Sequence, residues 1–439
     1  MKLGTFKGGV HPEDGKGLSM NTPIKLIMPK GELVFPLNQH IGSPSKPIVK
    51  IKDRVLVGQV IAEGTGFISS NIISSVSGEV KAIEERLTVS GNKVISIIVE
   101  NDNEYIEVED LGHKRNYMDL TREEIRKIVK ESGIVGLGGA GFPTHVKLSP
   151  KDDEKIEYVI VNGAECEPYL TSDYRIMIEM PEKLVLGLKV ILRLFPKAKG
   201  IIAIEDNKHE AIAKLIELTK NEEDIEVKVL KTKYPQGSER KLIYATTGKK
   251  INSSMLPSDV GCIVDNVDTV VSIAMAVCFS TPLMRRIVTV SGDAINNPRN
   301  FEVRIGTSYS QLIDEAEGFK ISPKKIISGG PMMGTPIYNL DIPIVKTSSA
   351  ILAFSYDDTE EGESSCIRCG RCIEVCPSNL VPIKLMEQSE KFNDESFVAL
   401  QGMECYECGS CSYICPAKRR ITQSVKQTRK SVIDNRNKK

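Results

Sequence analysis

Short β-branched runs separated by Gly, Pro, Asn and Ser turns fill residues 1 to about 115, among them Ile48–Ile51, Val55–Gly58, Val60–Ala62 and Val94–Val99. Apolar runs of this length bounded by turn residues predict strands, so this part reads as all-β. The pattern changes at Thr121. There Thr121 and Glu124 have capping-box spacing, and Ile125, Ile128 and Val129 follow at helical intervals up to Ser132-Gly133. Strands and helices then alternate. Tyr158–Val161, Gly200–Ile204 and Ile225–Leu230 have strand length, and Glu182–Leu194, His209–Leu218, Ser238–Thr246 and Asn266–Phe279 have helical spacing. Such alternation predicts a largely parallel sheet with helices on both faces. Near Arg286 the rhythm changes again. Strands at Ile287–Ser291 and Lys325–Ser328 around a short helix at Gln311–Ala316 predict a small α+β unit. An acidic stretch, Asp357 to Ser365, follows as a linker, and the end of the chain, Lys418–Lys439, carries nine Lys/Arg against one acid, Asp434. A run of that charge predicts a solvated, mobile end, with contact to an acidic partner or anionic lipid as the alternative.

A chain of 439 residues holds about three or four domains. The boundaries fall at 1–115, 116–285, 286–355, 356–425 and a basic tail at 426–439. Gly-turned strand pairs at Asp53–Glu63 and Ser75–Ile83 point to a barrel-sandwich (biotinyl/lipoyl-like) fold for the first domain. No Lys stands at a hairpin tip as a carrier's acceptor would, so the domain reads as a packing or docking module. Zero net charge, no Trp and 5% aromatic residues argue against a nucleic-acid partner. The start of the chain has no apolar core of signal-peptide length, and the longest uncharged apolar run, Thr269–Met284, is too short to span a bilayer. The expectation is a cytoplasmic protein that meets a membrane only through partners or surface contact. His11 and His40 read as surface or hydrogen-bonded residues.

Eight of eleven cysteines fall in two runs of the form C-x2-C-x2-C-x3-C-P: Cys366, Cys369, Cys372 and Cys376 before Pro377, and Cys405, Cys408, Cys411 and Cys415 before Pro416. In this spacing three close thiolates hold one [4Fe–4S] cube and the fourth ligates the other. Cys366, Cys369, Cys372 and Cys415 are therefore expected on one cluster, and Cys405, Cys408, Cys411 and Cys376 on the second. Zinc would use paired C-x2-C knuckles, and disulfides would need an oxidising compartment. Cys166, Cys262 and Cys278 have no ligand spacing and read as buried, inert thiols.

Gly136, Gly138, Gly139 and Gly141 place four glycines in six residues. A helix precedes this loop and Pro143 interrupts its sequel, so it is no standard dinucleotide turn. Its amides are nevertheless free to approach a phosphate or a flat ring. The stretches Gly138-Gly139-Ala140-Gly141-Phe142-Pro143-Thr144 and Asn162-Gly-Ala-Glu165-Cys-Glu167-Pro168, the two cysteine runs and the opening Thr5-Phe6-Lys7-Gly8-Gly9-Val10-His11-Pro12 resemble the RnfC family over essentially the whole chain. That family is the NAD-linked flavoprotein subunit of membrane-bound ferredoxin:NAD+ oxidoreductase. The middle is similar to the NADH-binding flavoprotein subunit of complex I. The resemblance implies a Rossmann-like α/β flavin domain and a small β-grasp-like SLBB domain between the barrel-sandwich domain and a two-cluster ferredoxin domain. It implies that Gly136, Gly138, Gly139 and Gly141 line FMN, and that Phe142 and Lys147 lie near nicotinamide and flavin. It further implies that Asn162 and Asn266 contact flavin, that Glu165 and Glu167 stand beside the nucleotide, and that Tyr234, Gly237 and Glu239 form a second loop. This chain has Leu137, His145 and Ser238 where complex I has Arg, Gly and an acid.

The expected cofactors are two [4Fe–4S] clusters, FMN and NAD(H). NAD(H) exchanges two electrons and clusters one, so a flavin between them is required. No acid–base residue is expected to be catalytic; Phe142, Glu165 and Glu167 would position the rings. The resemblance implies partners among the ion-translocating membrane subunits and a ferredoxin-like cluster subunit, with the protein peripheral on the cytoplasmic side. A cobalamin reductase-like flavoprotein and a docking subunit with no nucleotide site are the alternatives.

Overall fold

The structure is a computed structural model, and it describes residues 3–360 and 362–437. Met1, Lys2, Glu361, Lys438 and Lys439, parts of the expected N-terminus, linker and tail, lie outside them. Four strands form a parallel sheet in the spatial order Ile225–Leu230, Lys199–Glu205, Tyr158–Gly163, Cys262–Asn266. Tyr158–Gly163, Lys199–Glu205 and Cys262–Asn266 are buried on both faces, and the first two read as apolar segments, whereas the edge strand Ile225–Leu230 exposes Glu226. Val159, Val161 and Ile202 face helices Pro181–Leu192 and Val267–Phe279, whereas Ile160, Ile201 and Val264 face helix Glu239–Thr247 through Leu242 and Ile243. The chain builds outward from Tyr158–Gly163 and then returns to its other side with Cys262–Asn266. Strand order therefore reverses between these two, and their carboxyl ends open a crevice there, as in other doubly wound sheets.

Helices Pro181–Leu192 and Val267–Phe279 cross closely because Gly187 has no side chain. A Cβ there would lie 2.1 Å from the Val270 carbonyl oxygen. Gly187→Ala is expected to force the helices apart and cost about 2–3 kcal/mol, in the range of core overpacking. Urea unfolding of the purified chain measures it, and a cost under about half a kilocalorie would show that the contact yields.

The first domain has a sheet ordered Glu32–Pro36, Lys93–Asn101, Gly78–Leu87, Arg54–Val55, packed on a second, Lys46–Pro47, Val60–Glu63, Ile72–Ile73. His11 is exposed, and His40 hydrogen-bonds Ser43 and Ser69. A six-stranded sheet built mostly of residues 285–354 follows the parallel domain. Its edge strand is Lys25–Leu26, parallel to Arg299–Arg304. The first 30 residues thus lie apart from the barrel that the sequence groups them with. Gly4 bridges Leu230 and Val10 bridges Tyr234, so this segment runs across the parallel domain before reaching the six-stranded sheet. Strands of two residues leave too faint a pattern for the sequence to assign.

The cysteine runs sit on short turns against helices Pro382–Glu390 and Ile421–Asn437. The basic tail expected to be mobile is part of that second helix. Ile421, Val425, Thr428 and Val432 recur at helical spacing and are buried, Lys426, Lys430 and Arg436 are exposed, and Arg429 turns in to pair with Glu407. Charge count hid this apolar stripe. The acidic linker is likewise tied down at both ends, by Asp357 to Lys325 (2.7 Å), Glu360 to Lys324 (2.9 Å) and Glu363 to Arg419 (3.2 Å).

Candidate functional site: a glycine-loop cavity walled by a cysteine cluster

Helix Arg122–Glu131 starts at a complete capping box, with Thr121 accepting from the Glu124 amide and Glu124 accepting from the Thr121 amide. It ends at Gly133 in the left-handed region, φ 66°. The following loop closes on itself. The Gly136 amide donates to the Phe142 carbonyl (2.8 Å) and the Gly141 amide to the Gly136 carbonyl (3.2 Å). Gly138, Gly139 and Ala140 form the exposed tip of this ring, at the crevice between the carboxyl ends of Tyr158–Gly163 and Cys262–Asn266. Gly138 packs closely there, since a Cβ would come within 3.1 Å of Asn266.

The tip borders a cavity of 640 Å³, of the size that takes a cofactor-sized ligand. Gly138, Gly139, Asn162, Glu165, Glu167, Tyr234, Gly237 and Asn266, all expected from the sequence, line it. Gly136 and Gly141 stand behind, within the hydrogen-bonded ring of the loop. Phe142 and Lys147, which the resemblance puts beside the rings, are not in the cavity wall. Phe142 closes the loop through its carbonyl. The Lys147 ammonium turns to the Val264 carbonyl (2.7 Å), Glu239 (3.5 Å) and Asp265 (3.7 Å), so Glu239 too lies outside the lining. Asp265 is buried with no hydrogen bond to either carboxylate oxygen, and burial pushes it up to about 6.

The two acids of the Asn162–Pro168 stretch are both held by backbone amides. Glu165, itself at φ 47°, accepts from the amides of Asp173 (2.7 Å) and Tyr174 (3.3 Å), at the start of helix Ser172–Glu179. Glu167 accepts from the Met332 amide (3.0 Å), and the Tyr234 hydroxyl is 3.5 Å from its other oxygen. Burial raises Glu165 and pushes Glu167 up to about 7. The Asn162 amide donates to the Gly237 carbonyl (2.9 Å) and the Cys166 sulfur accepts from the Gly237 amide (3.2 Å), which fixes the second loop. Burial raises Cys166, Cys262 and Cys278 alike, in keeping with inert thiols.

Several lining or supporting residues carried no signal in the sequence. Lys16 is 5% exposed, and its ammonium donates to the carbonyls of Glu165 (3.0 Å), Glu167 (2.9 Å) and Leu170 (2.5 Å), so the N-terminal segment shapes the acidic loop. Asp173 accepts from the Asn266 amide group (2.7 Å); burial, then Glu165 and Asp268, push it up to about 8. Arg286 and the loop Gly329–Gly334 come from the six-stranded sheet. Gly329-Gly330-Pro331 was the available hint: a Cβ on Gly330 would lie 2.2 Å from the Glu167 carboxylate.

The cysteine-rich module contributes Tyr406 and Cys408 to the wall. Cys376, Cys405, Cys408 and Cys411 together line a separate apolar cavity with Leu380, Leu385 and Val425, and Cys372 has Cys415 and Cys369 as its charged neighbours. Cys376 of the first run thus lies with the first three cysteines of the second, and Cys415 of the second lies near Cys372 and Cys369 of the first. Cys366 and Cys369 are exposed, whereas Cys376 and Cys408 are buried. The module is seated against the parallel domain. Glu404 pairs with Arg240 (3.0 Å) and accepts from the Ser253 amide, and the Gly9 amide donates to the Val375 carbonyl (2.8 Å).

A glycine tip at the crevice of a parallel sheet, walled by one of two four-thiol groups, defines an electron-transfer flavoprotein with iron–sulfur clusters. Comparison with known families agrees: residues 129–275 match the Nuo51 FMN-binding domain, 4–104 the RnfC barrel sandwich hybrid domain, 287–336 the SLBB domain and 365–418 the 4Fe-4S dicluster domain. The chain is 46% identical to the C subunit of the proton-translocating ferredoxin:NAD(+) oxidoreductase complex of Clostridium ljungdahlii, over 89% of this chain and 85% of that one. It is 43% identical to the C subunit of the Na(+)-translocating complex of Acetobacterium woodii, over 100% and 99%. A crystal structure of NAD+-reducing [NiFe]-hydrogenase shares the fold, with a TM-score of 0.50 at 16% identity over 73% of this chain and 62% of that one. The chain belongs to the RnfC family of the ferredoxin:NAD+ oxidoreductase complexes. It is therefore one component of a larger assembly, and among its described residues no helix is long and apolar enough to cross a membrane.

Proposed function

We propose that this subunit passes electrons between two [4Fe–4S] clusters, FMN and NAD(H), and that the clusters lie in series. Cys366, Cys369, Cys372 and Cys415 hold the outer cluster, where electrons enter. Cys405, Cys408, Cys411 and Cys376 hold the inner one. The carrying observation is the cavity wall: Tyr406 and Cys408 face the same 640 Å³ space as the Gly138–Ala140 tip. The residues present suit FMN, because Gly138 and Gly139 have no side chain to keep a flat ring away and Asn162 and Asn266, held by Gly237 and Asp173, line the space beside them. FMN, when bound, exchanges single electrons with clusters and a hydride with nicotinamide. The protein's task at that step is to align two rings, which positioning alone achieves. Glu165, Glu167 and Tyr234 shape the space and its potential, and Gly237 lets the second loop approach. Lys147 and Glu239 support the sheet end from behind.

The partners under this reading are the membrane ion-translocating subunits and a ferredoxin-like cluster subunit, with the chain on the cytoplasmic face. Two relatives of similar identity are named for different ions, which supports selection of the ion by other subunits. A cavity of this size and lining disfavours a docking subunit without a cofactor. The test is anaerobic reconstitution with iron, sulfide and FMN, followed by NADH titration. Bleaching of flavin and then of cluster absorbance is expected. FMN that fails to bind, or a spectrum that NADH leaves unchanged, overturns the proposal.

A further inference from the structure

Four charge-bearing side chains of both signs face the glycine-loop cavity: the carboxyls Glu165, Glu167 and Asp173, and the guanidinium of Arg286. Arg286 is the one cation in the lining among the described residues. It enters from strand Arg285–Ser291 of the six-stranded sheet, outside the stretch that matches the FMN-binding domain. It is 3% exposed and is held on three sides. Its Nε donates to the Ser348 carbonyl (2.9 Å), Nη1 to the Asp268 carboxylate (2.5 Å) and Nη2 to the Leu137 carbonyl beside the glycine tip (3.1 Å). A guanidinium carries five N–H groups in a fixed fork. Three are engaged, which leaves two on the terminal nitrogens, and the group is already oriented by its partners.

Asp268 is shared. Arg285 also reaches it, at 3.2 Å, and has Glu302 as a second, longer partner at 3.9 Å, so Asp268 is divided between two guanidinium groups. A buried arginine that is incompletely neutralised is costly unless it meets further negative charge. Of the cavity's own acids, Glu165 and Glu167 are turned to backbone amides; Asp173 lies near Arg286, but it accepts from Asn266 and burial pushes it up to about 8.

We propose that Arg286 is the anion-holding residue of this cavity and binds the negative charge of the flavin nucleotide, with Asp268 setting how much of its charge is available. This rests on FMN occupying the cavity. The charge has two sources, the phosphate and the reduced ring, and Arg pairs well with either.

The experiment compares the reconstituted full chain with Arg286→Met, Arg286→Lys and Asp268→Asn. It measures FMN and riboflavin affinity by fluorescence quenching and the flavin midpoint potential by anaerobic redox titration. Urea unfolding of each variant checks folding. Arg286→Met is expected to weaken FMN binding about ten- to hundredfold, as loss of hydrogen bonds to a charged group does. Arg286→Lys should recover part of it. Asp268→Asn should act in the opposite direction, tightening FMN or raising its potential. Loss confined to FMN identifies the phosphate; loss of both ligands with a lower potential identifies the reduced ring. FMN affinity and potential unchanged in a folded Arg286→Met overturn the proposal. So does weaker binding by Asp268→Asn equal to that of Arg286→Met, the mark of a purely structural pair. Should the parent chain itself not bind FMN, the reading of the cavity fails instead, before any variant is compared.

Discussion

Cys376→Ala is expected to abolish the signal of the inner cluster, and with it the passage of electrons from the cluster side to the flavin, although Cys376 belongs to the first cysteine run. Cys376 lines the apolar cavity with Cys405, Cys408 and Cys411, and those three are its neighbours in space. The four thiols would together hold the cluster, and the apolar lining, Leu380 and Leu385 among it, offers no substitute ligand for a lost Cys376. Cys369→Ala removes a ligand of the outer, exposed group and spares the inner one. The two variants thus differ in a way that depends on place, not on run. Electron paramagnetic resonance of the reduced chain reads each cluster, and NADH reduction of bound FMN should persist in both variants. Were Cys376→Ala to remove only the signal also lost in Cys369→Ala, the crossed assignment would be wrong. The same outcome would also remove the reason for calling the Cys408 cluster the flavin's neighbour.

A second expected result concerns pH. Glu167 sits under the Gly329–Gly334 loop, where burial outweighs the favourable Met332 amide and Lys16 ammonium and lifts it from 4.5 to about 7. A carboxyl raised on folding contributes stability that is complete below the unfolded value, near pH 4.5, and is lost as pH rises through about 7. A tenfold change in proton affinity corresponds to about 1.4 kcal/mol, so the loss is bounded by about 3.5 kcal/mol and, with water in the cavity, is about 2 kcal/mol. Glu167→Gln keeps the contact with Met332 and removes the charge. Its stability should match the parent at pH 4.5, then exceed it by a growing margin up to pH 7 and a constant one above. Urea midpoints of the cofactor-free chain at successive pH values measure this. A margin that is flat across the range would place the Glu167 carboxyl in the ordinary range. A margin of this kind also means that the unliganded cavity is less stable than it could be, as functional sites often are.

The two results rest on different kinds of legibility. Cysteine spacing is a statement about short-range geometry: three thiolates two residues apart must bend around one object, and the chain has little freedom to do otherwise. Three of the four strands of the parallel sheet were equally legible from their apolar positions, whereas Cys262–Asn266, which ends in Asp265 and Asn266, was not read. So was the helix at Thr121, whose capping box formed as its spacing required. The glycine tip was found for the same reason, since four glycines in six residues leave few other uses.

Contacts made across many residues were not legible. Lys16 meets Glu165, Glu167 and Leu170 across separations of 149 to 154 residues, and a lysine among ordinary residues shows nothing of that in its neighbours. Lys147 and Phe142 adjoin the glycine loop in sequence, yet the loop closes on itself and turns them out of the cavity. The C-terminal helix was obscured because its charge is carried by most positions and its apolar stripe by few.

By itself the sequence determined which local units form: the strands, the capped helix, the glycine tip and the two turns of closely spaced thiols. Each is dictated by residues within a few positions of one another. Only the tertiary structure decided what surrounds the cavity. Docking of the cysteine module set Cys408 and Tyr406 into one wall, and the six-stranded sheet set Arg286 into another, with Asp268 to orient it. Those placements depend on how whole domains bury their faces against each other, and no short stretch of chain contains that information.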